Sequence, residues 1–179
     1  LVGGLGAGGK GYFALDVTCA GRLRTSDSAC DNSTLASPAD LVLWDKTLAT
    51  GDLTTDPDLG ASYGKPQSGK VCMTAFSPAS PCDPTNIKDV LVFGNGYNSA
   101  NSKAQLYVLE LQTGGILARI PTKNTTSNGL SAPFVDDYDQ DDFLDYVYAG
   151  DLTGDLWRFN LKDGPSSWSA RLGTTGSVA

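Results

Sequence analysis

The sequence contains no histidine. That omission removes the commonest general base, the Ser-His-Asp and Cys-His nucleophile systems and the usual nitrogen ligand of zinc and iron, and so argues against most enzymes. No apolar run reaches the roughly 18 residues that a membrane-spanning helix needs, and no charged region followed by an apolar core opens the chain. No Lys/Arg cluster interrupts an acidic background of 20 Asp and Glu against 13 Lys and Arg, a net charge of −7. Nucleic acid and anionic membrane surfaces are therefore poor partners. There is no C-x-x-C, and few segments carry the 3.6-residue period of an amphipathic helix.

What is present is β-protein grammar. The 179 residues are enough for one domain with a buried core. The chain starts inside an apolar run, "LVGG", without Met, and reads as a piece of a longer protein. Its four cysteines form two local pairs, Cys19 with Cys30 and Cys72 with Cys82. Four-cysteine zinc sites use closer knuckles, so two disulfides stapling short loops are the better reading, and they imply an oxidising compartment, the periplasm or cell exterior. Short apolar runs punctuated by Gly, Asn, Asp, Ser and Thr repeat one unit: "LVGGLGAGGKGYFALDVT" from Leu1, "VLVFGNGYNSANSKAQLYVLELQTG" from Val90 and "YVYAGDLTGDLWRFNLKDG" from Tyr146. Each reads as a strand ending in Gly, a polar turn and an alternating return strand, with a third strand at 41–48, 115–121 and 167–173.

In "QLYVLEL", Leu106, Val108 and Glu110 alternate with Tyr107, Leu109 and Leu111, so both faces are partly apolar, as in a sheet packed between neighbouring sheets. The expected fold is all-β: a partial, about three-blade segment of a modified β-propeller, residues 1–179 as one fragment. Blade hairpins are expected near 1–18, 90–112 and 146–162, with disulfide-stapled insertions near 19–40 and 49–87. So short a segment leaves edge strands for the rest of its propeller to cover. An irregular β-sandwich is the architectural alternative.

Six of the ten residues from Asp136 to Asp145 are aspartate. Counted from Asp137, carboxylates fall at positions 1, 3, 5 and 9: Asp137, Asp139, Asp141 and Asp145. Alternate side chains of an extended segment point to one side, and a turn at 142–144 brings Asp145 back to them. Calcium takes six to eight oxygens, and the backbone carbonyl of Phe143 supplies a fifth protein ligand. Two departures separate the loop from an EF-hand: Asp142 stands where Gly is usual, and Tyr148, at the head of a strand, stands where a bidentate Glu belongs. Asp tolerates the left-handed conformation better than most residues. Magnesium fits less well, because it keeps several waters. A merely solvated acidic loop would leave converging carboxylates to repel one another.

Three stretches carry a family resemblance: "LVGGLGAGGKGYFALDVT", "DPDLGASYGKP" (56–66) and "APFVDDYDQDDFLDYVYAGDLTGDLWRFNL" (132–161). In these, and in their order, the sequence resembles the PilY/PilC family of type IV pilus tip-associated proteins. The resemblance implies a C-terminal modified β-propeller with a D-x-D-x-D-x-x-x-D calcium loop. The calcium role then passes to Asp137, Asp139, Asp141 and Asp145, with Phe143 through its carbonyl. It further implies an exported protein at the pilus tip, cell surface or outer membrane, without enzymatic activity. Such a protein would act with an N-terminal adhesin region, pilin or minor pilins, and a host or surface receptor, in pilus assembly against retraction, adhesion and twitching motility.

Two other functions fit parts of the pattern. "VLELQTGGILARI" is similar to a quinoprotein dehydrogenase blade repeat, although its tryptophan position holds another residue. Trp44, Trp157 and Trp168 could line a calcium-dependent carbohydrate site, with Trp157 better placed in a core.

Overall fold

The computed structural model describes residues 1–17, 41–47, 55–122 and 128–173. Cys19 and Cys30, expected to pair, lie outside the described residues, as does the whole of the expected insertion at 19–40. Among the described residues, eleven strands form three antiparallel sheets. The first contains β1 (Val2–Gly4), β2 (Tyr12–Leu15) and β3 (Val42–Asp45), in that order. The second runs β4 (Gln67–Cys72), β5 (Ile87–Gly94), β6 (Gln105–Glu110) and β7 (Ile116–Pro121). The third runs β8 (Phe134–Asp136), β9 (Tyr146–Gly150), β10 (Leu156–Asn160) and β11 (Ser169–Leu172).

Each sheet is a hairpin followed by a return strand, as the repeat predicts. The second and third also carry a strand ahead of the hairpin. That extra strand in the second sheet, β4, falls inside the 49–87 stretch expected to be an inserted loop. Its sequence, "QSGKVC", hides it. Ser68 and Lys70 face solvent, and Gly69, a residue that weakens a strand pattern, is required because Leu144 fills the space a Cβ would occupy. The cysteine pair then closes directly off the strand end, Cys72 to Cys82.

The middle sheet is a shared layer. From β5 and β6, Val90, Val92, Leu106 and Val108 join one buried cluster with Val147, Ala149, Trp157 and Phe159 of the third sheet. Their alternates Leu91, Phe93, Tyr107 and Leu109 join a second cluster with Tyr12, Ala14 and Trp44 of the first sheet. The period of two thus sends one strand's side chains into two cores. Between the first two sheets, Phe93 stacks on Tyr107 at 5.3 Å and meets Tyr12 at 4.1 Å between ring centres.

The segments joining the sheets are tied by buried polar groups. Asn95, fully buried, donates to the carbonyls of Asp58 and Lys103 and accepts from the amides of Gln105 and Leu130. In the "DPDLGASYGKP" segment, Asp56 accepts from the Asp58 amide, the Tyr107 hydroxyl and Arg119. Its carboxyl is nearly buried, 5% exposed, and the Arg119 pair closes at 2.8 Å. Burial alone would raise its pKa; these three donors hold it below the usual carboxylate value. Gly96, at φ +69, passes so close to Ala61 that any side chain would collide with its carbonyl.

Truncating the ring shared by the first two sheets should open a cavity that neither sheet can fill. Phe93→Ala is expected to cost about 3 to 5 kcal/mol in urea unfolding of the intact protein. A loss below about 1 kcal/mol would mean that the first two sheets do not depend on this contact.

Candidate metal centre

The acidic loop joins β8 to β9, and the hairpin that follows fixes its ends. Asp136 pairs with Tyr146 across the β8–β9 ladder, and the Asp145 amide donates to the Asp136 carbonyl. The chain must therefore leave and return at one point, and the eight residues between curl into a closed loop. Two of them, Gln140 (φ 61) and Asp142 (φ 70), are left-handed. Asp142 takes the conformation that its Gly-like position requires.

Carboxylates organise the curl from inside. Asp137 accepts from the amides of Asp141 and Asp142 at 3.1 and 3.0 Å. Asp145, 1% exposed, accepts from the amides of Tyr138 and Asp139 through Oδ2, at 2.8 and 3.2 Å. Asp137, Asp139 and Asp145 each present an oxygen within 4.8 Å of the others, an arrangement that could hold a metal ion. Asp141 stands outside this trio and accepts from the Phe143 amide at 3.0 Å. Burial, followed by repulsion from Asp139, Asp145 and Asp137, pushes its carboxyl above the usual value despite that bond. Phe143 packs its ring on Phe76, 4.9 Å between centres. Of the five residues expected to bind a cation, three converge, and the other two shape the adjoining wall.

Lys162 was not among the expected site residues. It follows β10, and Leu161 donates to the Asp145 carbonyl at 2.9 Å, so the hairpin register carries Lys162 to the loop. Its ammonium reaches Asp139 Oδ2 at 2.8 Å and Asp145 Oδ1 at 2.7 Å. This pairing first, against a smaller burial effect, holds Asp139 below the usual carboxylate value, and the two carboxylates raise the lysine. The signal for it was available in principle: once Asn160 pairs with Tyr146, Lys162 must emerge beside Asp145.

The site lies where two sheets meet. Phe76, Ser77, Pro78 and Pro81 of the disulfide-closed loop face Asp139, Asp141 and Phe143 across a cleft of about 410 Å³, with Lys162 and Asp163 at its border. Leu144 donates its amide to the Lys70 carbonyl of β4, and Gly164, at φ +80, sits against the Met73 carbonyl.

The three tryptophans do not form an exposed sugar platform: Trp44, Trp157 and Trp168 are 7%, 2% and 8% exposed. Thr113 and Gly114 make a turn closed by the Gly114 amide on the Glu110 carbonyl and packed on Trp44, so the quinoprotein-like "TG" has an architectural use here. Asp151 does the same at the β9–β10 turn. It accepts from the Asn128 side chain and the Trp157 indole through Oδ2, and from Thr153 and the Asp155 amide through Oδ1.

Comparison with known proteins places these features. The family profile of the PilY1 beta-propeller domain matches residues 1–174. The type IV pilus biogenesis factor PilY1 of Pseudomonas aeruginosa PAO1 is 38% identical over 164 residues, covering 90% of this chain and 11% of that protein. A PilY1 homolog of Xylella fastidiosa Temecula1 is 34% identical over 181 residues, covering 94% of this chain and 10% of the relative. The crystal structure of the Pseudomonas aeruginosa PilY1 C-terminal domain superposes with a TM-score of 0.65 at 36% identity, over 95% of this chain and 32% of that one. The chain thus spans about a tenth of these curated relatives and about a third of the solved domain.

A pH dependence follows from Asp151. Burial would raise its carboxyl, but the bonds from Asn128, Trp157, Thr153 and Asp155 outweigh it and bring the pKa down to about 2. Because the folded value is depressed, its stabilisation is complete above the unfolded value near 4 and is lost as pH falls through about 2. After discount for solvent screening it amounts to about 1 to 2 kcal/mol. Urea midpoints of wild type and Asp151→Asn should differ at pH 5 and converge by pH 2; a gap independent of pH would contradict this assignment.

Proposed function

The chain belongs to the PilY1 β-propeller family, and from that premise we propose that it is the calcium-binding propeller segment of an exported type IV pilus biogenesis protein. The observation that carries the calcium reading is the convergence of Asp137, Asp139 and Asp145 in a loop whose left-handed residues allow it to close. The donors are all hard carboxylate oxygens with no nitrogen or sulfur, which suits calcium above the transition metals. The residues that would hold it are Asp137, Asp139 and Asp145, joined by Asp141 and the Phe143 carbonyl. A bound calcium would supply positive charge beyond the single Lys162 ammonium that the crowded carboxylates share.

The role that follows is mechanical. The loop fixes where β9 begins and lies against β4 of the neighbouring sheet, so its rigidity bears on how two blades sit together. A pilus complex docked on this surface would read calcium occupancy as a change in that joint. On this reading the segment works at the pilus tip or cell surface, in contact with the remainder of its propeller, an N-terminal adhesin region and pilin or minor pilins. Its outputs are pilus assembly against retraction, adhesion to a host or other surface, and twitching motility. The closed Cys72–Cys82 disulfide is consistent with an exported protein.

Calorimetric titration of the full-length protein should show calcium binding that weakens at least about tenfold in Asp139→Ala, an exposed loop position, and is lost in Asp145→Asn. A wild-type protein that takes up no calcium at millimolar concentration refutes the calcium reading. A strain carrying Asp145→Asn should lose surface pili and twitching; normal motility with binding abolished would remove calcium from the biological role.

A further inference from the structure

Asp145 has two carboxylate oxygens, and both are committed. Oδ2 takes the amides of Tyr138 and Asp139, and Oδ1 takes the ammonium of Lys162 at 2.7 Å. The same ammonium holds Asp139 Oδ2 at 2.8 Å. Two of the three converging carboxylates therefore share one internal positive charge. A divalent ion drawn to these oxygens meets a group of like sign already in place, and at a few ångströms that repulsion is severe.

We propose that Lys162 is a resident counter-cation of the acidic loop, which calcium must displace, and that it thereby sets the calcium threshold of the site. The inference rests on the calcium reading above and adds the element that changes state. Lysine suits the part: its charge is compact and its four-carbon stem flexible, so it can leave without any backbone movement. Its side chain is 29% exposed, against 2% for Asp145, and it borders the 410 Å³ cleft, which gives the displaced ammonium somewhere to go.

Two consequences separate this arrangement from a plain calcium loop. In calcium-poor surroundings the loop still holds one internal counter-charge, so it keeps its fold, tied by an ion pair to the turn after β10. In calcium-rich surroundings that tie is broken, and a positive charge moves into the cleft facing Phe76 and the disulfide-closed loop. Calcium thus changes the surface beside the site instead of merely ordering the loop.

The test is Lys162→Met in the full-length protein, which keeps the stem and removes the charge, with Lys162→Arg as the charge-retaining control. Calcium affinity is measured by calorimetry, and melting temperature with chelator and with calcium. Lys162→Met is expected to bind calcium about tenfold tighter, as a lost competitor worth about one decade implies. It should also melt lower in chelator and show a larger calcium-induced rise, while Lys162→Arg stays near wild type. If Lys162→Met does not fold, Lys162→Gln is read in the same way. Unchanged or weaker calcium affinity in the charge-removed variant, with wild type binding normally, overturns the proposal and leaves the calcium reading standing. Binding by Lys162→Met but not by wild type also overturns it, because calcium then never displaces the ammonium. Binding by neither overturns both.

Discussion

A buried carboxylate organises the third sheet. Asp145 is 1% exposed, and an ionised carboxylate in that position is tolerable only with its oxygens fully engaged. It is engaged by three segments at once: the start of the acidic loop through Tyr138 and Asp139, the turn after β10 through Lys162, and its own backbone with Asp136 and Leu161. Satisfying this one group requires the loop to curl and the β9–β10 hairpin to hold its register. The curl in turn requires left-handed residues at 140 and 142. The convergence of aspartates is the product of that chain of requirements.

The second constraint is the middle sheet, whose two faces are both interior. A strand buried on both sides cannot alternate apolar with polar, and β5 and β6 accordingly run as continuous hydrophobic stretches, "VLVF" and "LYVL". Polar groups are displaced to the strand ends. There Asn95, just past the end of β5, completes its hydrogen bonds with backbone of neighbouring loops, while Asp56 in the preceding segment reaches the side chains of Tyr107 on β6 and Arg119 on β7. The family-like segment at 56–66 owes its pattern to this task. Asp56 anchors on Tyr107 and Arg119, and Leu59 is fully buried behind it.

Much of this was legible in the sequence, for reasons that differ by element. Period-two alternation with Gly and Asn turns exposes the hairpins, and the double apolar face of 105–111 announces a sandwiched sheet. Carboxylate spacing in the acidic loop points to Asp137, Asp139 and Asp145, which do converge, and equally to Asp141, which stands outside the trio. Failures came where a residue's reason lies in another part of the chain. β4 looks like a loop because Gly69 exists to admit Leu144, which lies far along the chain. Lys162 looks like an ordinary turn lysine because its partners are reached only through the pairing of β9 with β10. Asp141 has the spacing of a ligand, and that spacing does not reveal the bond its Oδ1 accepts from the Phe143 amide.

These non-local contacts also decide how far an event in the loop can be felt. Four separate contacts fasten the third sheet's loops to the second sheet: Leu144 in the gap at Gly69, the Leu144 amide on Lys70, the ring of Phe143 on Phe76, and Gly164 on Met73. All four involve residues within three positions of Asp141 or Lys162. On the reading proposed above, a cation exchanged at the loop would act on groups adjacent to each of these contacts and, through Leu144, would reach the edge of the large apolar cluster beneath. The blade joint therefore joins a packed base, which Leu144 enters, to a disulfide-backed rim that carries the charged groups. On the proposed calcium reading it is this rim, where Asp139 and Lys162 reach solvent, that an ion would alter.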